Sequence, residues 1–232
     1  MRLFKQTPED YYNAPYAEFP ALIRGTVVVV MAILWTFSKL MWRWKVEDAD
    51  LLFERQEGRG SVVICNHTSM AELLAVETAL FFGGRRIRPI FKSEFAKSKI
   101  VRWAFSRVGG IPVERGTADM KCLRAAQHAL QRGEDVLIFP EGTRSKDGEI
   151  GRFKAGAFTL AKESGVDILP VVMTGTKTLI KKNLAFNWGN RITVRVLPPV
   201  PASEVAAAET HELMQTVRDR MCEALSEIRK QQ

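Results

Sequence analysis

The chain has 232 residues and a formal net charge of +8, from 34 Lys and Arg against 26 Asp and Glu. That length suits one α/β domain with a sizeable core and argues against a second catalytic domain. Three cysteines without metal-ligand spacing and only three histidines argue against a disulfide framework and a histidine-rich metal centre, and fit a reduced, cytosolic setting.

The first distinct element is the uncharged stretch GTVVVVMAILWTFS at residues 25–38. As a helix it covers roughly 21 Å at 1.5 Å per residue, short of a hydrocarbon core of roughly 30 Å. Arg24 precedes it; Lys39, Arg43 and Lys45 follow, with Trp35, Trp42 and Trp44 around its end. These read as snorkelling charges and interfacial aromatics, and they predict a monotopic or shallowly inserted anchor at a cytoplasmic membrane face. Acids at Glu9, Asp10 and Glu18 precede the apolar run and no small-residue cleavage site follows it, which argues against a cleaved signal peptide. A buried core helix is the other reading of the same composition. Residues 1–45 are therefore taken as an anchoring segment and 46–232 as the globular domain.

Residues 46–60 are charged and irregular and read as a connector. Strands are then predicted at 61–65, 87–91, 111–113, 135–139, 168–173 and 191–196, each a short apolar or β-branched run. Helices are predicted at 69–82, 97–108, 119–132 and about 154–163, with stops at Gly83-Gly84, Gly109-Gly110, Gly133 and Gly165. The tail, 203 to about 229, reads as one long amphipathic helix with Ser203 as N-cap. Alternating strands and helices predict an α/β fold with a mostly parallel central sheet flanked by helices.

The positive charge calls for an anionic partner. No zinc-finger cysteines or aromatic RNA-binding signature accompany it, so nucleic acid ranks last. An anionic membrane surface absorbs the charge more economically, at about 1 kcal/mol for each basic residue near it.

Chemistry concentrates in two polar blocks about seventy residues apart, NHTSMAE at 66–72 and FPEGTRS at 139–145, each at the exit of a predicted strand. The first holds a histidine with an acid five residues on. Residues five apart on a continuous helix are separated by about 140° and cannot share a face. His67 is therefore expected in the strand-to-helix turn, with Glu72 on the first helical turn. The tetrapeptide Ser69-Met70-Ala71-Glu72 also matches a capping box, in which Glu72 reaches back to the Ser69 amide without any chemistry. The second block offers Glu141 and Arg144 on a turn with Gly142 and Thr143, and a planar guanidinium suits phosphate oxygens.

Together the blocks resemble the glycerolipid acyltransferase family, which is marked by Asn-His with an acid further on and by Phe-Pro-Glu-Gly-Thr-Arg. GGIPVER at 109–115 and ILPVVMTG at 168–175 are similar to two further family blocks, so the resemblance covers roughly residues 60–200. It implies an O-acyltransferase of phospholipid synthesis that passes an acyl group from acyl-CoA or acyl-carrier protein to the sn-2 hydroxyl of lysophosphatidic acid. It also implies His67 as general base, Glu72 as its partner, and Lys92, Arg115, Glu141, Gly142, Thr143 and Arg144 around the acceptor, with no metal and no cofactor beyond the thioester. Glu141 is expected to hold Arg144 or contact the acceptor. Leu73, Leu74, Phe81 and Phe82 are candidates for an acyl groove, against core packing as their default. The family's glycerol-phosphate branch usually carries Asp where this chain has Glu72, whereas glutamate is similar to the lipid A late acyltransferases. Acylation of glycerol-3-phosphate or a lipid A precursor therefore stays open, as does a non-catalytic basic protein that binds membranes.

Overall fold

Val62-Val63-Ile64-Cys65 is apolar at every position, the pattern of a strand covered on both faces, and all four residues are buried. In the computed structural model they form strand β2 at the centre of the sheet. The structure describes residues 7–54, 56–69, 72, 81, 85–114, 119–177 and 187–231. Seven strands pair in the order β1-β7-β6-β2-β5-β3-β4. They are β1 (Arg43–Glu47), β2 (Val62–Cys65), β3 (Ile87–Lys92), β4 (Ile111–Val113), β5 (Asp135–Ile138), β6 (Ile168–Thr174) and β7 (Arg191–Val196). Every neighbouring pair is parallel except β6 with β7.

The two faces of the sheet carry separate cores, as the period of two along each strand requires. Val62, Ile64, Val136 and Val172 face the helices Met120–Gln131, Gly156–Ser164 and Thr210–Lys230, whose buried stripes include Leu130, Phe158, Val217 and Met221. Val63, Cys65, Leu137, Val171 and Val194 face the other way, onto Leu52 and against Trp42 and Trp44. Fully burying each such Val or Leu contributes about 1.5–3 kcal/mol. The start of β5 is fixed by a buried ion pair, in which Arg85 Nε and Nη2 donate to Asp135 at 2.7 and 2.8 Å while Asp135 accepts the Ser61 amide.

The predicted mostly parallel α/β architecture is what the chain adopts, with three differences. Residues 43–47, divided in sequence between anchor and connector, form β1 and pair with β7 in parallel from Arg43↔Arg191 to Glu47↔Arg195. Their alternation of charged and apolar residues (RWKVE) suits an exposed sheet edge rather than a buried strand. The apolar helix runs over Ala21–Met41, longer than the uncharged stretch, because Arg24 and Lys39 sit within it. It is long and apolar enough to cross a membrane, by length and composition only, and little of it is buried. The C-terminal helix is two helices, Ala202–Ala207 and Thr210–Lys230. Glu209 ends the first by capping the second, its side chain accepting the His211 and Glu212 amides. The expected Ser203 cap is replaced from outside, since Asp167 Oδ1 accepts the Ala202 amide. Most of the predicted 69–82 helix, Gly83-Gly84, and Leu73, Leu74 and Phe82 lie outside the described residues.

Candidate active site

Parallel neighbours end at the same edge of a sheet, and ligands of open α/β sheets bind at that carboxyl edge. The two polar blocks therefore meet because β2 and β5 are paired neighbours. The exits of β2 (residues 66–68), β3 (Lys92), β5 (139–145) and β6 (175–176) all lie on this edge.

Asn66, 1% exposed, anchors the turn after β2, its side-chain amide donating to Met173 O at 3.0 Å and accepting from Met173 N at 2.8 Å. That pair extends the β2–β6 ladder through a side chain and fixes where His67 leaves the sheet. His67 then stacks on Phe139, with ring centroids 4.2 Å apart, and its Nδ1 lies 2.9 Å from Glu72 Oε2. Glu72 is fully buried. It accepts the Thr68 amide at 2.8 and 2.7 Å and the hydroxyls of Thr68 and Thr176, the latter at 2.7 Å. Glu72 thus both faces the histidine and accepts a backbone amide. The capped amide is that of Thr68 rather than the expected Ser69.

Thr176 was not singled out from the sequence. It sits in position because Gly175 turns the chain at φ +85°, where a Cβ would lie 1.9 Å from Arg191 O. A Thr-Gly-Thr at the end of a buried strand was the available signal, but the partner it finds is 104 residues away.

Glu141, expected to hold Arg144 or contact the acceptor, accepts a backbone amide on each oxygen, Oε1 from His67 at 2.8 Å and Oε2 from Gly151 at 2.9 Å. Burial holds its carboxyl above the ordinary glutamate range, and the nearby Glu72 pushes the same way against the pull of those two amides and of His67. The His67 carbonyl in turn accepts the Ser145 amide at 2.7 Å. The second block thus grips the histidine backbone from both sides.

Two cavities meet at the histidine. A cleft of about 500 Å³ is lined by His67, Thr68, Lys92, Phe95, Thr143, Arg144, Ser145 and Lys146. A chamber of about 330 Å³ shares His67, Lys92 and Phe95 with it and is otherwise mostly apolar, lined by Phe91, Phe105, Ile138, Phe139 and Leu160 among others. Gly142, at φ +69°, lines this chamber. Lys92 is paired with Glu94 at 2.6 Å, while Thr143 and Arg144 are exposed. Ser145 satisfies its own turn through Asp147 and the Gly148 amide. Arg115 lies outside the described residues. Phe81, one of the residues named for an acyl groove, lines a different small pocket beside Arg86. Cys122 lines the chamber, but burial, reinforced by Asp119, pushes its thiol up to about 12. A thiolate nucleophile is therefore not available there near neutral pH.

Among known proteins, the model of the acyltransferase family matches residues 45–174. A chloroplastic 1-acyl-sn-glycerol-3-phosphate acyltransferase of Arabidopsis thaliana is 30% identical over 178 residues, 75% of this chain and 49% of that protein. The alpha 1-acyl-sn-glycerol-3-phosphate acyltransferase of Homo sapiens is 36% identical over 171 residues, 72% of this chain and 59% of that protein. The crystal structure of the 1-acyl-sn-glycerophosphate acyltransferase from Thermotoga maritima superposes with a TM-score of 0.69 at 26% identity, covering 86% of this chain and 80% of that one. The chain spans about half the length of the curated relatives it matches.

Proposed function

The chain belongs to the acyltransferase family, and we propose that it transfers an acyl group from a thioester to the sn-2 hydroxyl of 1-acylglycerol-3-phosphate, giving phosphatidic acid. The observation that carries this reading is the position of His67 on the wall shared by a cation-lined cleft and an apolar chamber. A lysophospholipid acceptor needs its phosphate held on one side of the base and the donor's acyl chain on the other.

In the proposed reaction the His67 Nδ1 proton is directed to Glu72, so the other ring nitrogen takes the proton of the sn-2 hydroxyl. The hydroxyl oxygen attacks the thioester carbonyl, the C–S bond breaks, and the imidazolium returns its proton to the leaving thiolate. Glu72 fixes the tautomer and stabilises the transient imidazolium. Arg144 and Lys92 hold the phosphate, with Thr143 and the Gly142 turn beside them. Glu141 acts on His67 through its backbone amide rather than on the acceptor. No metal or cofactor enters this scheme, and the donor is acyl-CoA or acyl-carrier protein. The helix Ala21–Met41 supports membrane association; the reading places it in the leaflet on the cytoplasmic side, with the cleft at an anionic surface.

The test is product formation by the detergent-solubilised chain from lysophosphatidic acid and a labelled acyl thioester, alongside His67→Ala. Removing the base is expected to cost ~10² to 10⁴ in rate. Phosphatidic acid from the unmutated chain alone supports the proposal, and equal rates from both proteins would sink it.

A further inference from the structure

Arg218, on the helix Thr210–Lys230, lies outside every block that carries the family resemblance, yet its guanidinium is built into the loop behind the active site. Nε donates to Gly151 O at 2.8 Å and Nη2 to Ile150 O at 2.9 Å. The amide of the same Gly151 donates to Glu141 Oε2 at 2.9 Å, and Glu141 Oε1 accepts the His67 amide at 2.8 Å. A Cβ at position 151 would lie 3.1 Å from Glu141 Oε2. The close approach favours glycine there, a position with no side chain of its own to hold the loop. Arg229 fastens the loop one turn earlier, Nη2 donating to Gly148 O at 2.7 Å and Nη1 pairing with Glu149. The loop is thus tied at one end to the His67 backbone and at the other to the last helix.

We propose that Arg218 is a positioning residue for acyl transfer, holding the Ile150 and Gly151 carbonyls so that the Gly151 amide stays on Glu141 and Glu141 stays on the amide of His67. Bonds from a charged donor are roughly twice as strong as neutral ones and a guanidinium fork fixes direction, so one side chain sets the orientation of two successive peptide planes. The inference rests on the proposed role of His67, and it assigns to the C-terminal helix a part in catalysis that the sequence blocks do not contain.

The experiment uses the full chain in detergent with Arg218→Met and Arg218→Lys, each alone and combined with Glu141→Gln. It reads kcat, KM for both substrates, and amide hydrogen exchange at residues 67 and 148–151 by mass spectrometry. Arg218→Met is expected to lower kcat roughly tenfold with KM changed less than about twofold, and to speed exchange at 67 and 151, while Arg218→Lys recovers part of each. In the Glu141→Gln background, loss of Arg218 should change kcat less than about twofold, because the chain of contacts is already broken. Unaltered kcat in Arg218→Met, or a loss undiminished by Glu141→Gln, overturns the proposal. Should the unmutated chain make no phosphatidic acid, the proposed function fails, while exchange still decides the brace: unchanged rates at 67 and 151 in Arg218→Met refute it. If circular dichroism shows that Arg218→Met does not fold, Arg218→Gln takes its place under the same criteria.

Discussion

Thr176 donates its hydroxyl to Glu72 Oε1 at 2.7 Å, while Oε2 of the same carboxylate lies 2.9 Å from His67 Nδ1. One threonine at the exit of β6 thus holds the acid that faces the candidate base at the exit of β2. A fully buried carboxylate is stable only when its lone pairs are met, and here Thr68 and Thr176 meet those that His67 does not.

Thr176→Val keeps the volume and removes that donor. A hydrogen bond to a charged group contributes about 1.5–3 kcal/mol, so kcat/KM for the acyl transfer should fall roughly 10- to 100-fold, with Thr176→Ser recovering most of it. Steady-state kinetics on the three proteins checks this; equal rates for Val and wild type would remove Thr176 from the site.

Glu72→Gln puts an amide where three donors and the ring nitrogen now meet an acceptor-only group. The rate should fall by at least ~10² with the fold retained, because in the proposed reaction the histidine loses the partner that sets its tautomer. Glu72→Asp withdraws the carboxylate by about one bond length, roughly 1.5 Å. Because it remains an acceptor-only group it should be impaired less than Gln, and least of all if Thr176 and His67 follow it. Comparing kcat for the two variants with circular dichroism as a fold control separates these outcomes.

The raised carboxyl of Glu141 gives a pH dependence of definite sign. Once it is protonated, one of its oxygens becomes an O–H donor and a poor acceptor, which weakens its hold on the His67 or the Gly151 amide. The acid limb of kcat/KM should therefore lie above the ordinary glutamate value of about 4.3. For stability the sign is opposite. A carboxyl whose folded-state value exceeds its unfolded one contributes fully below the unfolded value, and that contribution is lost as pH rises through the raised one. Denaturant unfolding across that window should show this loss, and Glu141→Gln should abolish it; a pH slope that survives in the variant would assign it to another group.

Arg144 and Lys92 line the cleft rather than the core. Arg144→Ala should raise KM for lysophosphatidic acid at least roughly tenfold, the value of one charge-assisted contact. Turnover of a neutral monoacylglycerol should change little. An equal loss on both acceptors would mean that Arg144 supports the loop and does not recognise phosphate.

Most strands were legible because they are short apolar or β-branched runs between turn residues, clearest in VVIC and ILPVVMT, where the sheet is buried on both faces. The strand at 43–47 was not, because an edge strand needs no such pattern, and RWKVE alternates charged with apolar residues in a way that a connector also does. The helix break at 208–209 was missed for a related reason: a single glutamate cap is weaker than the amphipathic stripe that continues across it.

At the candidate site, the His67 and Glu72 pairing spans five residues and is dictated by local geometry, since only a turn followed by a helix brings them together. The contacts of Glu141 with His67, Thr176 with Glu72 and Arg218 with Gly151 span 74, 104 and 67 residues. Hydrophobic pattern and motif spacing determine which segments become strands and which short blocks carry reactive side chains. Which carboxylate oxygen meets which distant amide is decided only when parallel strands bring their exits to one edge of the sheet, because a hydrogen bond depends on ångström-scale placement that sequence separation does not encode.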